Sequence, residues 1–227
     1  MRISGTVVAM RGVLVQQNSV ILPARYAIDY EFLLCEARLE GTSQLAGCLQ
    51  RLCRAQWRDS YVAAVERPTN LVQFRARTFE YVFDLYSGLE ATGEIPYDQT
   101  VEDRVVAVLG TSATPEEPRT GTRMRGWLGE TGEIVGAVRD KGHFIAHCIG
   151  GGQNANVFSQ DRKLNRGWSA QGKTYRQMER YCQEHPGTFC FARPVYSDNS
   201  SVPRWLEFGV LKKDETLWIE TFDNVLS

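Results

Sequence analysis

The stretch DKGHFIAHCIGGGQNANVFSQDRKLNRGWSAQGKTYRQMERY, residues 140–181, carries the clearest indication of fold and chemistry in this chain. It places polar side chains on both sides of a Gly-Gly-Gly segment at residues 150–152: His143, Asn156, Gln160, Asn165 and Glu179. It is also the most basic part of the sequence. From position 160 to position 180 there are six basic residues and only two acidic ones, Asp161 and Glu179. We therefore expect a polyanion to bind there favourably.

This combination of side chains indicates metal-assisted hydrolysis of a phosphate ester. A histidine on a strand can take a proton from water near pH 7, because its unperturbed pKa lies close to that value. Asparagine oxygens can hold one hard cation such as Mg²⁺, which keeps most of its own waters and also binds substrate phosphate. Basic side chains would offset the negative charge of a phosphorane-like transition state.

The same residues resemble the DNA/RNA non-specific endonuclease family of ββα-metal (His-Me finger) nucleases. The family's D-R-G-H motif is matched by the sequence DKGH at residues 140–143. Its second motif, N-x-x-x-Q-x-x-x-L-N-x-G-x-W, is matched with the tryptophan one position early, at Asn156, Gln160, Leu164, Asn165, Gly167 and Trp168. An aromatic-x-x-x-Glu pattern follows at Tyr175 and Glu179, farther along than in the family. The likeness is close over residues 140–181 and looser in the tail, at residues 192–203.

The resemblance implies a role for each matched residue. His143 would be the general base, Asn165 would bind the metal directly, and Glu179 would hold a water molecule of that metal. Asn156 would support the site. Lys141 stands where the family has arginine, so it would contact phosphate as a point charge without the bidentate fork. The implied cofactor is Mg²⁺, with Mn²⁺ as a possible substitute. The basic residues that we expect to contact nucleic acid are Arg139, Arg162, Lys163, Arg166 and Lys173.

Three alternatives stay open from the residues alone. His147 lies four positions after His143 and would share its side of a regular strand, so it is either a phosphate contact or a structural histidine. Asn156 fits a helix cap as well as it fits a site residue. Histidines and cysteines cluster between positions 143 and 190, but their spacing fits no familiar zinc module.

Composition places the chain among ordinary globular proteins. It has 227 residues, of which 43% are hydrophobic and 23% charged, enough for one domain or two small ones. No apolar run is long enough to span a membrane, and the N-terminus lacks the apolar core of a signal peptide. The six cysteines form no C-x-x-C motif, which favours reduced thiols and a cytoplasmic location. The net charge is −1, so nucleic-acid binding would need a local basic patch.

The hydrophobic patterns predict an α+β fold. Residues 1–110 read as a mixed β/α region, with strands over 2–40 and a helix from Ser43 to Glu66 that buries Cys48 and Cys53. Residues 79–86 are either an amphipathic helix or a buried strand, and residues 104–110 are a short helix or a strand. Residues 111–122 are a predicted linker. Residues 123–227 would be the ββα-metal nuclease core, with flanking antiparallel strands.

Within that core we expect strands at 124–128, 133–138 and 144–148, a helical segment over 156–166 and a helix over 174–184. Further strands are expected at 189–191, 205–208 and 217–219. The function expected is a metal-dependent, sequence-non-specific endonuclease acting on DNA, RNA or both, without membrane association. One alternative is a nuclease toxin or anti-phage effector, with residues 1–110 binding a regulatory or inhibitory protein or self-assembling. Another is an inactive module that only binds nucleic acid.

Overall fold

The computed structural model describes residues 20–40, 44–118, 138–153 and 155–224. In chain order its helices and strands are Tyr30–Leu39 (α1), Leu45–Val65 (α2), Leu71–Ala76 (β1), Phe79–Asp84 (β2), Tyr86–Thr92 (α3), Arg104–Thr111 (β3), Arg139–His143 (β4), Val157–Asp161 (β5), Arg162–Asn165 (α4), Ala170–Glu184 (α5), Phe189–Val195 (β6), Trp205–Leu211 (β7) and Leu217–Asp223 (β8). The predicted α+β class is confirmed. No helix of the described part is both long and apolar enough to cross a membrane.

A six-stranded antiparallel sheet in the order β1-β2-β3-β6-β7-β8 forms the middle layer of the fold. Side chains that alternate along a strand point to opposite faces of the sheet. In β6, Phe189 and Phe191 therefore join the core beneath α1 and α2, whereas Cys190 and Ala192 join the core on the other face. As predicted, α2 buries Cys48 and Cys53 among apolar residues.

The second face of the sheet is covered by the two-stranded β4–β5 hairpin and by α5. Phe144 and Phe158 stack with ring centroids 4.2 Å apart. The Tyr175 ring of α5 meets Phe208 and Phe222 of the sheet edge-on, at 5.5 and 5.2 Å. Edge-to-face packing of this kind adds about 0.5–1.5 kcal/mol per pair beyond the area buried. The hairpin and α5 therefore share one core with this face of the sheet.

The sheet is continuous across the predicted linker at residues 111–122. β3, which precedes that segment, pairs with β6, which follows it, through the partners Val108↔Ala192 and Gly110↔Cys190. A buried ion pair between Arg193 and Glu207 also joins the N-terminal region, because the Tyr30 hydroxyl donates to the Glu207 carboxylate at 2.7 Å. Strands that precede and follow residues 111–122 thus belong to one sheet, and core side chains from both parts pack together against it.

Several predicted elements are corrected by the structure. Residues 30–39 form a helix, not a strand, because Asp29 caps it by accepting from the Phe32 N–H at 2.9 Å. The strand at the first motif is 139–143, so His143 ends a strand, and residues 144–148 form no strand but lead into the 3₁₀ turn His147–Ile149. Residues 157–161 form a strand, and only 162–165 of the predicted helical segment are helical.

Other predictions hold. Residues 45–65 and 170–184 are helices, and β6, β7 and β8 contain the strands predicted in the tail. The two ambiguous segments at 79–86 and 104–110 are largely strands, β2 and β3. The strands predicted over 2–19 and 124–128, and most of the one at 133–138, lie outside the described residues.

Candidate functional site

The β4–β5 hairpin presents the first motif of the polar stretch. Its register pairs Asp140 with Gln160 and His143 with Val157. Because directly opposed residues share a face and neighbours alternate, Lys141 and His143 point to one face of the hairpin and Asp140 to the other. Asp140, Lys141 and His143 thus lie within four consecutive positions of one strand, with Asp140 on the opposite face from the other two.

Asp140 connects this strand to α4. Its carboxylate accepts hydrogen bonds from Arg162 Nε at 3.0 Å, from Arg166 Nε at 2.7 Å and from the side-chain amide of Asn165 at 3.1 Å. Burial alone raises the pKa of Asp140, but the hydrogen bonds from Arg166, Asn165 and Arg162 outweigh it and leave the pKa below its ordinary value. Asp140 is therefore an anion at neutral pH, and it anchors Asn165 of the second motif together with Arg162 and Arg166.

This contact determines how the Asn165 amide is oriented. Since the nitrogen donates to Asp140, the oxygen Oδ1 points elsewhere, and it accepts no hydrogen bond from the described residues. Asn165 is half-buried at the end of α4. An oriented amide oxygen at a partly open position is the kind of ligand that a hard cation prefers.

Glu179 lies on α5 with only 6% of its surface exposed. Arg176, one turn earlier, donates to Glu179 Oε2 at 2.7 Å. Burial raises the pKa of Glu179, and the Arg176 guanidinium partly opposes that shift. The second oxygen, Oε1, accepts no hydrogen bond from the described residues, so it is available for water or a cation.

Tyr175 links α5 to the end of β4. Its buried hydroxyl donates to the backbone carbonyl of His143 at 3.1 Å. Burial, and then the nearby Glu179 charge, raise the pKa of Tyr175, so the phenol stays protonated as a donor.

The β4 strand requires glycine at position 142, because a Cβ at this position would lie 2.0 Å from Gln160 Oε1. A side chain at 142 would therefore displace Gln160 from its buried position.

Asn156 holds the loop that follows His143. Its Oδ1 accepts from the Ile145 N–H at 2.9 Å, and its Nδ2 donates to the carbonyls of Ile145 at 2.6 Å and Gly152 at 2.9 Å. The side chain is 1% exposed and all three bonds go to backbone. Asn156 is thus a positioning residue for residues 145–152, and it does not cap a helix.

The five residues predicted to contact nucleic acid differ in their surroundings. Arg139 donates to the Ser159 carbonyl at 3.2 Å and so supports the hairpin. Arg162 and Arg166 are paired with Asp140, although Arg166 keeps 47% of its side chain exposed. Lys163 and Lys173 are exposed. The basic surface therefore consists mainly of Lys163, Lys173 and the outer part of Arg166.

Few hydrogen bonds join the predicted site residues to one another. Hydrogen bonds among the described residues link Asp140 to Asn165 and Tyr175 to His143, but none joins His143 directly to Asn165. His147 Nε2 is buried without a hydrogen-bond partner in the described part of the chain. No group of three His, Cys, Asp or Glu side chains in that part could hold a metal ion, which gives the zinc alternative no support.

Two site contacts were not anticipated from the sequence. Asp140 was matched as a motif residue, but its hydrogen bond to Asn165 joins residues 25 positions apart, so no local sequence pattern indicates it. A local pattern does indicate the Arg176–Glu179 pair, because residues three apart on a helix lie on the same face.

No family model matches this chain, and no curated protein sequence matches it significantly. One solved structure, described as Sda1 nuclease with bound zinc ion, is 14% identical with a TM-score of 0.37, covering 70% of this chain and 76% of that one. Another, described as an extracellular endonuclease, is 13% identical with a TM-score of 0.33, covering 71% of this chain and 81% of the other. Similarities this low carry no argument about function, which rests on the site itself.

Proposed function

We propose that this chain is a metal-dependent endonuclease that hydrolyses phosphodiester bonds in DNA, RNA or both with little sequence preference. The observation that carries the proposal is the orientation of Asn165. Asp140 holds its amide nitrogen at 3.1 Å and leaves the amide oxygen available beside a basic surface. The strand that supplies Asp140 also supplies Lys141 and ends at His143.

The available oxygens fit a hard cation such as Mg²⁺ or Mn²⁺ better than zinc, which favours nitrogen and sulfur ligands. Asn165 would hold the ion directly, with Glu179 near its waters. When bound, the ion would stabilise negative charge on the phosphate and on the leaving oxygen. His143 would take the proton of the attacking water, and the Tyr175 hydroxyl would keep the His143 backbone in place. Lys141 would contact the phosphate.

The test is a cleavage assay on plasmid, single-stranded DNA and RNA with Mg²⁺, Mn²⁺ or EDTA. We expect cleavage with either metal and none with EDTA. His143→Ala should lower turnover by about 10²–10⁴-fold, the usual effect of removing a general base. His185→Ala is the matched control, because His185 lies at the end of α5, where its ring hydrogen-bonds only the Tyr181 carbonyl and stacks on the Tyr181 ring. Near-normal cleavage by folded His143→Ala would contradict this mechanism.

Two further measurements distinguish this proposal from the alternative functions. Binding of nucleic acid without cleavage by the wild-type chain would favour the inactive binding module. Growth arrest on cytoplasmic expression, relieved by His143→Ala, would favour a toxin or defence effector. All six cysteines are free thiols, in keeping with the proposed cytoplasmic location.

A further inference from the structure

Trp168 has 62% of its surface exposed, although it lies within the polar stretch and next to α4. Its backbone is fixed, because its N–H donates to the Lys163 carbonyl at 2.8 Å. The preceding Gly167 has a φ of 72°, a left-handed conformation that glycine adopts easily. The exposed indole ring therefore stands on a turn whose backbone is hydrogen-bonded.

The ring is also close to the proposed metal ligand. The Arg166 guanidinium carbon lies 5.1 Å from the Trp168 ring centroid, within the range of a cation–π contact. The same guanidinium bonds Asp140, which in turn holds Asn165. Two side chains, Arg166 and Asp140, thus lie between the exposed aromatic ring and Asn165, whose amide oxygen we assign to the metal.

The charge around Trp168 suits a polyanion. The sequence from Arg162 to Met178 contains no acidic residue. Lys163 and Lys173 are both exposed, one on each side of Trp168 in the chain. Positive groups interspersed with an exposed aromatic ring are the arrangement by which proteins bind single-stranded nucleic acid, where basic groups follow the backbone and a base stacks on the ring.

We infer that Trp168 stacks on an unpaired nucleobase beside the scissile phosphate, so that single-stranded DNA or RNA is the preferred substrate. This inference rests on the proposed nuclease function and adds its substrate class. A base within a duplex already stacks on its neighbours and cannot present a face to the ring. A strand with free bases can occupy Trp168 and the basic surface together.

The experiment compares wild type with Trp168→Ala, Trp168→Phe and the control Tyr97→Ala, whose aromatic ring is 78% exposed between α3 and β3. The substrates are single-stranded oligothymidylate, the same strand with abasic sites, a duplex, and bis(p-nitrophenyl) phosphate, which has no base. Trp168→Ala should raise the KM for oligothymidylate by about 5- to 150-fold, the effect of losing one stacked base. Trp168→Phe should keep most of the affinity, and Tyr97→Ala should change nothing.

The base-free substrates distinguish failure of the inference from failure of the proposed function. Trp168→Ala should hydrolyse bis(p-nitrophenyl) phosphate like wild type and should lose little further affinity on the abasic strand. An unchanged KM for oligothymidylate would overturn the inference while leaving the nuclease in place. If wild type cleaves no substrate, the proposed function fails. Fluorescence anisotropy of labelled oligothymidylate in EDTA then decides: weaker binding by Trp168→Ala supports stacking, and equal binding overturns it.

Discussion

Asp140 determines the site geometry at the scale of single residues, since it both orients Asn165 and pairs with two arginines. Replacing it with asparagine keeps the shape of the side chain but removes its charge. The Asn165 amide would then be free to turn. We expect Asp140→Asn to raise the Mg²⁺ concentration needed for half-maximal cleavage by about 10- to 100-fold, as when a residue that orients a metal ligand is lost.

A metal titration of the cleavage rate measures this effect. Asn165→Ala should shift the titration at least as far, because it removes the proposed ligand itself. Asp59→Asn is a suitable control, since Asp59 is exposed on α2 at the opposite face of the sheet. A titration of Asp140→Asn that coincides with wild type would mean that the cation lies elsewhere, with Glu179 the next candidate.

Substitutions of Lys141 test whether the charge or the geometry of this side chain matters at the predicted phosphate contact. It is half-buried on β4, on the same face as His143. If its positive charge is what acts on phosphate, Lys141→Ala should lose activity and Lys141→Arg should keep most of it, because arginine supplies the same charge with a bidentate fork. Cleavage rates of both variants at saturating Mg²⁺ decide this. Equal rates for Lys141→Ala and wild type would exclude the contact.

The hairpin is the element on which the site depends, and its packing is tight at Gly142. A Cβ there would lie 2.0 Å from Gln160 Oε1 and 2.5 Å from Gln160 Cβ. We expect Gly142→Ala to lower the free energy of unfolding by about 1–3 kcal/mol, the usual cost of overpacking. Gly47→Ala is the matched control, because nothing lies within 4 Å of its added Cβ in α2. Denaturant unfolding that shows equal changes for both would contradict this account.

At this scale the sequence predicted the long helices better than the boundaries of the short elements. The apolar run from Phe144 to Cys148 was predicted as a strand, yet the polar residues 139–143 form it. The run turns instead because Asn156 takes both backbone groups of Ile145. The spacing of apolar residues predicts helices and strands, but it does not reveal a side chain that competes for backbone hydrogen bonds. The long regular helix α2 was predictable, since its buried positions repeat over 21 residues.

At the scale of the whole molecule, β1, β2 and β3 precede the predicted linker and make up half of the six-stranded sheet. The core beneath α1 and α2 includes Phe189 and Phe191 from β6, which lies after that linker. The Arg193–Glu207 pair is also buried against Tyr30. Docking or restraint by residues 1–110 stays a prediction, whereas their contribution of three strands to the sheet is structural.

A fragment beginning at Arg119 tests this arrangement. It would keep the hairpin and α5 but lose β3, leaving one edge of β6 unpaired. It would also lose α1 and α2, exposing phenylalanines that the full chain buries completely or nearly so. An exposed apolar face and an open strand edge favour aggregation. We therefore expect the fragment to be unfolded or aggregated and unable to cleave, as judged by circular dichroism and light scattering. If it is instead a folded, active monomer, residues 1–118 are dispensable for the nuclease fold and a regulatory role becomes the better account of them.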